Sequence, residues 1–384
     1  MSVARQLAVG IMSGTSGDGV DALLLELESL HERHTPRVVD HAHVPFEPEL
    51  QAELTDPTKL RVPRLSELHA ELPRRYAEAV RRLDGWRHAK VIGMHGQTVW
   101  HGPPSARGSL GHATPNTLQI GSSSVLAEAL GKPVVGDMRA ADMVFGGEGA
   151  PIVPFAHWFF TPASESGRLV VNIGGIANVT HVTESLADVV GYDIGPGMMI
   201  ADYLARQISS GDLEYDRDGL LSRGGRADAG VVDHVFAHPF FAKPPPRSTG
   251  REDFGHGYTT RLLERFTDID ERDLLTSVIA VTARMIAQTA HADLEGVRSL
   301  LLTGGGALNP TLRRLVGEYC SLPVQTADQG VFAASHHEPA AIALIAARTM
   351  AGLESSLPKV TGASQAAVLG HVAFPTGYSL SSGE

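Results

Sequence analysis

A polar turn near the N-terminus contains the residue types that hold phosphate. It is Ser-Gly-Thr-Ser-Gly-Asp-Gly over residues 13–19. Glycine lets a backbone approach a ligand closely, and successive N–H groups can surround a phosphate. Thr15 and Ser16 can donate to phosphate oxygens, and Asp18 can hold Mg²⁺ through water because magnesium keeps much of its hydration. A hairpin with a hydrophilic tip fits the same pattern, and this segment alone does not separate the two interpretations.

Two later glycine segments could approach the same kind of ligand. Residues 172–178 are Asn-Ile-Gly-Gly-Ile-Ala-Asn, a turn between two apolar runs. Residues 304–306 are three glycines between an apolar run and Pro310, where a nucleotide could meet the backbone beside a helix N-terminus. Taken alone, the first segment favours a structural turn, and the second also fits a tight β–α connection.

A carboxylate, Asp193, ends an apolar run and is followed by Ile-Gly-Pro-Gly. Ligands of α/β sheets bind where strands end, and a general base must be held rigidly near the reacting proton. Asp193 therefore has the position of a base. Taken alone, it more simply caps the following helix.

One histidine has the position of a substrate contact. His95 follows a short apolar run, and Gln97 and Thr98 add an amide and a hydroxyl close behind it. The pairs His41/His43 and His336/His337 show no carboxylate at metal-ligand spacing, so we expect surface or core histidines there.

Three common glycine-rich enzyme motifs do not explain these glycines. Residues 17–22 fit G-x-G-x-x-A, but the apolar run after them predicts a strand, whereas a dinucleotide fingerprint needs a helix. The sequence contains no Gly-Lys-Ser/Thr phosphate loop and no G-x-S-x-G nucleophile elbow.

The elements that would position these segments occur in two similar rounds. Residues 6–12 and 20–28 predict strands around the first turn, and a helix over 65–84 and a strand over 90–94 follow. Residues 168–173, 176–182 and 189–193 predict strands of a second round, with helices over 272–293 and 338–351. Residues 239–250 contain three consecutive prolines and predict an irregular functional loop or lid edge. A weak internal duplication is consistent with this plan.

Length and composition set the broad class. The 384 residues suggest two domains or one large one, and the net charge of −11 weighs against a nucleic-acid partner. The single cysteine, Cys320, allows no internal disulfide and no zinc pattern, which favours a reducing compartment. No apolar run is long enough for a signal peptide or a membrane span, so we expect a cytoplasmic protein with no membrane partner. A homodimer is left open.

Taken in order, nine segments resemble the anhydro-N-acetylmuramic acid kinase family over nearly the whole chain. They are GIMSGTSGDGVDALLLEL at 10–27, GMHGQTVWHGP at 93–103, TLQIG at 117–121, VVGDMRAADMVFGGEGAPIVP at 134–154, VVNIGGIANVT at 170–180, GYDIGPG at 191–197, PPPRSTGREDFG at 244–255, LLTGGGALNPTL at 301–312 and LPKVTGASQAAVLG at 357–370. The resemblance implies an α/β protein with two RNase-H-like lobes and an interlobe ATP cleft, the actin/hexokinase-like ATPase fold. We expect an N-terminal lobe over 1–140 and a C-terminal lobe over 141–384, with the C-terminal segment able to return to the first lobe.

The same resemblance implies a reaction. Water opens the anhydro bond of 1,6-anhydro-N-acetylmuramic acid, O6 takes the γ-phosphate of ATP, and N-acetylmuramic acid 6-phosphate and ADP leave. Asp193 would be the catalytic base. Together with the motifs, the resemblance assigns ATP contacts to Gly14, Thr15, Ser16, Gly17, Asp18, Gly19, Val20, Asp21, Asn172, Gly174, Gly175, Gly195, Gly197, Gly304, Gly305 and Gly306. It assigns the substrate to His95, Gln97, Thr98 and Glu338, and Mg²⁺ to Asp18 through water.

Five positions depart from the family pattern: Gly17, Ile194, Met198, Ser335 and Pro339. They leave substrate fit and rate open. Two alternatives therefore stay: a kinase of this fold for another amino sugar, and a catalytically weak member that uses ATP to switch a protein interaction. Retention of Asp193 favours the enzyme, because a binding module needs no base there.

Overall fold

The computed structural model describes residues 5–14, 17–106, 114–245, 247–327 and 333–379. Its strands are β1 Gln6–Met12, β2 Gly19–Leu27, β3 Arg37–Pro45, β4 Val91–Met94, β5 Gln97–Gly102, β6 Asn116–Ile120, β7 Val134–Gly136, β8 Arg168–Ile173, β9 Ile176–Val182, β10 Val190–Pro196, β11 Ser299–Thr303, β12 Val324–Thr326 and β13 His371–Ala373. Its helices are α1 Pro48–Thr55, α2 Val62–Arg82, α3 Ser123–Leu130, α4 Ala140–Val144, α5 Val153–Phe160, α6 Met199–Ile208, α7 Ala229–Phe236, α8 Arg251–Phe254, α9 His256–Arg265, α10 Glu271–Gln288, α11 Pro310–Tyr319, α12 His337–Met350 and α13 Pro358–Thr361.

The chain divides into two units by its internal contacts. Unit 1 is Met1–Ala163 with Ser335–Glu384, and unit 2 is Ser164–Ala334. The expected boundary near residue 140 is therefore too early, because residues 141–163 pack in unit 1. The C-terminal segment returns to unit 1, which the sequence had left open.

The main sheets of the two units share one strand order. In unit 1 the order is β3-β2-β1-β4-β7-β13, and in unit 2 it is β10-β9-β8-β11-β12, so the five strands of unit 2 correspond to the first five of unit 1. In each, three consecutive strands pair antiparallel, and the first of them pairs parallel with a later strand. This is the RNase-H-like order, so the α/β class with two RNase-H-like lobes is confirmed. The predicted position of ATP between the lobes stays a prediction.

Helix α12 joins unit 1 because two glycines on the central strands admit it. A Cβ added to Gly10 of β1 would overlap the Pro339 carbonyl, and one added to Gly93 of β4 would lie 2.6 Å from the Ile342 carbonyl. The helix is buried over 339–347, a run rich in alanine, and packs on β1, β4, β2 and α5. Close packing of this kind needs small residues on both faces, and it brings a segment from the end of the chain onto its first strand.

Most predicted elements are present with small shifts at their ends. The predicted helix over 272–293 consists of α10 and a π-helical extension, Thr289–Asp293. The predicted strand over 189–193 extends to Pro196 with a bulge between Asp193 and Gly195. The prediction that all of 239–250 is irregular is wrong at its start, because Pro239–Ala242 is a 3₁₀ helix. Strand β3 was not predicted.

Candidate active site

The turn between β1 and β2 is held by one buried side chain from β5. The Ser13 hydroxyl donates to Oε1 of Gln97, and Nε2 of Gln97 donates to the Gly14 carbonyl at 3.1 Å. Gly17 has a φ of 61°, the left-handed region that glycine favours, and its N–H donates to the Gly14 carbonyl. Its departure from the family pattern thus fits the backbone conformation. Thr15 and Ser16, both predicted phosphate ligands, lie outside the described residues.

The rest of this turn separates into exposed and buried positions. Asp18 is exposed, as a carboxylate that reaches hydrated Mg²⁺ must be. Gly19 has no room for a side chain, because a Cβ would lie 2.6 Å from the Val44 carbonyl. The Val20 side chain is in the hydrophobic core, so only its backbone could face ATP.

Asp21 has partners that the sequence did not indicate. Its Oδ1 lies 3.1 Å from Nε2 of His41 and 3.1 Å from Nδ1 of His43, both on β3. Burial raises the pKa of Asp21, but the two imidazoles outweigh it and lower that pKa below its ordinary value. The expectation that His41 and His43 have no carboxylate partner is therefore wrong. Antiparallel pairing of β2 with β3 creates the contact, because it places Asp21 opposite His43.

His95, predicted to contact substrate, uses both ring nitrogens within the protein. Its Nδ1 lies 2.8 Å from the Gly96 carbonyl, and Nε of Arg139 donates to its Nε2 at 3.1 Å. Burial, with the nearby charge of Arg139, lowers the pKa of His95 to about 3, so the ring is neutral. Gln97 is likewise fully buried and bonded at both ends of its amide. Both residues position neighbours, and a direct contact with substrate stays a prediction.

Two other predicted substrate residues in unit 1 keep contact with solvent. Thr98 is half-buried, and its hydroxyl accepts from Nε2 of Gln119 at 3.4 Å. Glu338, in the first turn of α12, is exposed. Desolvation by the surrounding protein raises the pKa of Glu338, and the positive charge of Arg139 opposes the rise. Glu338 and Thr98 therefore have side-chain oxygens that a sugar could reach.

In unit 2 the second glycine turn is fixed by the backbone that follows β10. The N–H groups of Gly197 and Met199 donate to the Gly175 carbonyl at 2.9 and 3.1 Å, and that of Met198 donates to Gly174 at 2.8 Å. The first N–H groups of α6 thus bind the turn. Gly197 cannot also use its N–H for phosphate in this arrangement, and its predicted ATP contact would need another atom.

Asp193 is held by the segment at 239–250, which was expected to be a functional loop or a lid edge. The Asp193 N–H donates to the Arg247 carbonyl at 3.0 Å, and the Thr249 N–H donates to Oδ2 of Asp193 at 3.1 Å. The Thr249 hydroxyl donates to Asp253 at 2.7 Å, and the Arg247 guanidinium lies 4.7 Å from the Phe240 ring centroid. The carboxylate of Asp193 therefore has a fixed orientation on an edge strand.

The glycines of unit 2 fall into two groups by what a side chain would meet. A Cβ at Gly195 would lie 2.5 Å from Sδ of Met285, and one at Gly304 would lie 2.5 Å from Oδ1 of Asn172. Gly306 is as crowded, between Ile173 and Met198. Gly174 and Gly175 would make only ordinary contacts, and Gly305 has open space beside it. Packing within the unit explains the first group, whereas the second leaves backbone open to a ligand.

A buried polar network supports the turn of three glycines. Asp216 accepts from the Ser222 hydroxyl at 2.5 Å, from Nδ2 of Asn309 at 3.0 Å and from the Leu221 N–H at 2.8 Å. Asn309 also caps α11 and donates its N–H to the Gly306 carbonyl at 3.0 Å. The turn is thus connected to a carboxylate with three hydrogen bonds.

Sequence reasoning missed Arg139, Asp142, Arg247 and Thr249. Arg139 and Asp142 lie on either side of the lobe boundary that we expected between residues 140 and 141. There Asp142 accepts from the Gly149 N–H at 2.9 Å and the Thr361 hydroxyl at 2.8 Å. Charged residues inside a segment rich in glycine and alanine are the sequence signal that could have identified Arg139 and Asp142.

The described residues contain neither a metal-ligand cluster nor a membrane-spanning helix. No group of three or more His, Cys, Asp or Glu side chains there is arranged to hold a metal ion. No helix in the described part of the chain is long and apolar enough to cross a membrane.

Two units of RNase-H-like order, each with a glycine turn between its first two strands, are the arrangement of the actin/hexokinase-like ATPase class. The model of the family "Anhydro-N-acetylmuramic acid kinase" matches residues 6–375. The chain belongs to that family.

Curated relatives agree over nearly their whole length. An anhydro-N-acetylmuramic acid kinase of Salinibacter ruber is 36% identical, with 97% of each chain covered. That of Parasynechococcus marenigrum is 35% identical, covering 95% of this chain and 98% of the relative, and that of Caldanaerobacter subterraneus is 32% identical, covering 96% and 97%. Among solved structures, gluconate kinase from Lactobacillus acidophilus has a TM-score of 0.45 at 10% identity, with 97% of this chain and 94% of that chain covered.

Proposed function

We propose that this protein is an ATP-dependent kinase that opens 1,6-anhydro-N-acetylmuramic acid with water and phosphorylates O6, in the recycling of murein. The products are N-acetylmuramic acid 6-phosphate and ADP. The family match covers residues 6–375, which include every residue assigned a role here.

One observation in unit 2 supports the chemistry most directly. The turn at Gly174–Gly175 is hydrogen-bonded to Gly197–Met199, a few residues beyond Asp193 on the same stretch of chain. A base and a candidate phosphate-binding turn therefore belong to one rigid piece. Positioning and electrostatics account for most of the catalysis in phosphoryl transfer, so rigidity of this kind serves the reaction.

Asp193 would act as the general base. Its carboxylate takes a proton from water as the water oxygen bonds to the anomeric carbon, and the bond from that carbon to O6 breaks. O6 then attacks the γ-phosphorus, and the bond to the β-phosphate oxygen breaks to release ADP. The Thr249 N–H, which donates to Oδ2, keeps the carboxylate oriented through the proton transfer.

The glycines with open space beside them are the best candidates for contact with ATP. Gly174, Gly175 and Gly305 have neither a crowded Cβ position nor a positive φ to account for glycine. Backbone that is open for no reason of packing fits a close approach by phosphate or nucleoside. Gly195, Gly304 and Gly306 would instead shape the site through packing.

Asp18 would hold Mg²⁺ through water, as the exposed carboxylate of the first turn. Magnesium usually binds one or two protein carboxylates together with substrate phosphates, so a single carboxylate fits it without a protein cage. When bound, the ion would neutralise charge on the phosphates of ATP.

The deciding experiment follows sugar phosphate by mass spectrometry with ATP, Mg²⁺ and 1,6-anhydro-N-acetylmuramic acid. Asp193→Asn keeps an acceptor for the Thr249 N–H but removes the base. We expect kcat to fall by about 10²- to 10⁴-fold, while binding of a non-hydrolysable ATP analogue is retained.

Asp233→Asn is the matched control, because Asp233 lies on the surface of unit 2 in an ion pair with Arg284. It should keep wild-type activity. No sugar phosphate from the wild type would contradict the proposed function, and full activity of Asp193→Asn would contradict the role of the base.

The homodimer and the cytoplasmic location stay predictions. Light scattering on the purified chain measures the first, and fractionation of the producing cell measures the second.

A further inference from the structure

The guanidinium of Arg139 is held in place by uncharged acceptors. Its Nε donates to Nε2 of His95 at 3.1 Å, and its Nη1 donates to the Gly149 carbonyl at 2.8 Å. These two bonds fix the plane of the group and leave the Nη2 donors without a protein partner among the described residues. The side chain is half-buried, so a ligand can reach it from solvent.

The two imidazoles near Arg139 carry no charge at neutral pH, so the positive charge beside them is that of the guanidinium. Burial is the main cause that lowers the pKa of His95 to about 3 and that of His101 to about 4, and Arg139 lowers both further. Both rings are therefore neutral near pH 7. The bonded nitrogen of His95 must be the unprotonated one, since it accepts from Arg139.

No carboxylate of the described residues neutralises this charge by direct contact. Glu338 interacts with Arg139 through space, and each moves the pKa of the other, but the two form no ion pair. Charged groups enclosed by protein are ordinarily paired. An arginine that is oriented, partly desolvated and not paired is a site for an anion from outside the chain.

We propose that Arg139 binds the lactyl carboxylate of 1,6-anhydro-N-acetylmuramic acid and so determines which amino sugar is accepted. The proposal rests on the proposed function. The muramic sugar differs from 1,6-anhydro-N-acetylglucosamine by a lactyl ether, whose carboxylate is its one ionised group at neutral pH. A planar guanidinium matches a carboxylate better than a lysine does, because it presents parallel N–H donors.

The test compares kcat/KM for these two sugars, each with ATP and Mg²⁺. The wild type should strongly prefer the acid. Arg139→Gln should lower the preference by about 10- to 100-fold, the value of one charge-assisted contact. The loss should be in KM for the acid, with kcat/KM for the neutral sugar little changed. Arg139→Lys keeps the charge without the fork and should fall between the two.

Arg284→Gln is the matched control, because Arg284 is on the surface of unit 2 and pairs with Asp233. It should keep the wild-type preference. If Arg139→Gln does not fold, Arg139→Lys and the wild-type comparison still decide the question.

The possible outcomes separate the two hypotheses. A wild type that phosphorylates neither sugar contradicts the proposed function. A wild type that phosphorylates both equally, or an Arg139→Gln or Arg139→Lys variant that keeps the full preference for the acid, overturns the role of Arg139 while the kinase assignment stands. An equal fall for both sugars in these variants also overturns it, because a purely structural role or a contact with the phosphates of ATP gives that result.

Discussion

The two glycine turns occupy equivalent places in their sheets but are held in different ways. The turn after β1 depends on the side chain of Gln97, which bonds Ser13 and Gly14 from a different strand. The turn after β8 depends on backbone N–H groups at Gly197–Met199. One topology therefore tolerates two solutions. A turn fixed by a side chain is sensitive to the chemistry of that side chain, and a turn fixed by backbone is sensitive to the space that glycine leaves.

Acid should have the largest effect and should destabilise unit 1 more than unit 2, because the histidines with the most strongly lowered pKa values are in unit 1. Burial lowers the pKa of His95 and His157 to about 3, and an unfolded histidine titrates near 6.5. Between those values the unfolded chain binds more protons, so the free energy of unfolding falls as the pH falls. We expect a loss of about 2 kcal/mol for each group at pH 5.

Urea unfolding at pH 7 and pH 5 measures this effect. All three tryptophans, Trp86, Trp100 and Trp158, are in unit 1, so their fluorescence reports that unit. His157→Phe should reduce the pH dependence, and hydrogen exchange should show a smaller change in unit 2. An equal loss in both units would contradict the prediction.

The second turn should be broken by one methyl group at Gly197. A Cβ there would overlap the Gly174 carbonyl and lie 3.0 Å from the carbonyl carbon of Ile176. Gly197→Ala should therefore push the turn away from α6 and lower the free energy of unfolding by about 1–3 kcal/mol. Calorimetry measures the stability, and titration with an ATP analogue measures the expected loss of affinity. Wild-type values of both would show that the backbone clamp is dispensable.

The first turn should be loosened by Gln97→Leu, which keeps the size of the side chain. The Ser13 hydroxyl and the Gly14 carbonyl would lose their partner in a buried place, at a cost of about 1–3 kcal/mol. Gln97→Glu keeps an acceptor for Ser13 but loses the donor to Gly14, and it should also destabilise the turn. Both variants should raise KM for ATP more than they change kcat, as measured by steady-state kinetics. A change confined to KM for the sugar would instead support a direct contact of Gln97 with the substrate.

Gly175→Ala tests the second turn with the smallest expected effect on the free energy of unfolding. Its Cβ would lie 3.6 Å from Cε of Met199, an ordinary contact, so stability should stay within about 0.5 kcal/mol of the wild type. Affinity for an ATP analogue should still fall if phosphate approaches this backbone. Unchanged affinity, measured by titration calorimetry, would remove Gly175 from the phosphate site.

Predictions from the sequence were most accurate for elements whose signals lie within the element itself. Strands β8 and β9 and the turn between them have the predicted bounds, because apolar runs and paired glycines are local signals. The roles of His95 and Gln97 were beyond its reach. Gln97 bonds a residue 84 positions earlier, and His95 accepts from an arginine 44 positions later. The motif indicated a functional role for both residues, but it did not indicate that they bind neighbouring protein groups.

The sequence by itself determined the family, the α/β class, the duplicated order of elements and the candidacy of Asp193, since motifs and periodicity are carried by contiguous residues. Only the tertiary structure decided that α12 packs on β1 and β4, that Thr249 orients Asp193, and that Arg139 meets uncharged acceptors alone among the described residues. These facts depend on which distant surfaces come together. That is set by the packing of whole elements, such as the small residues of α12 against Gly10 and Gly93.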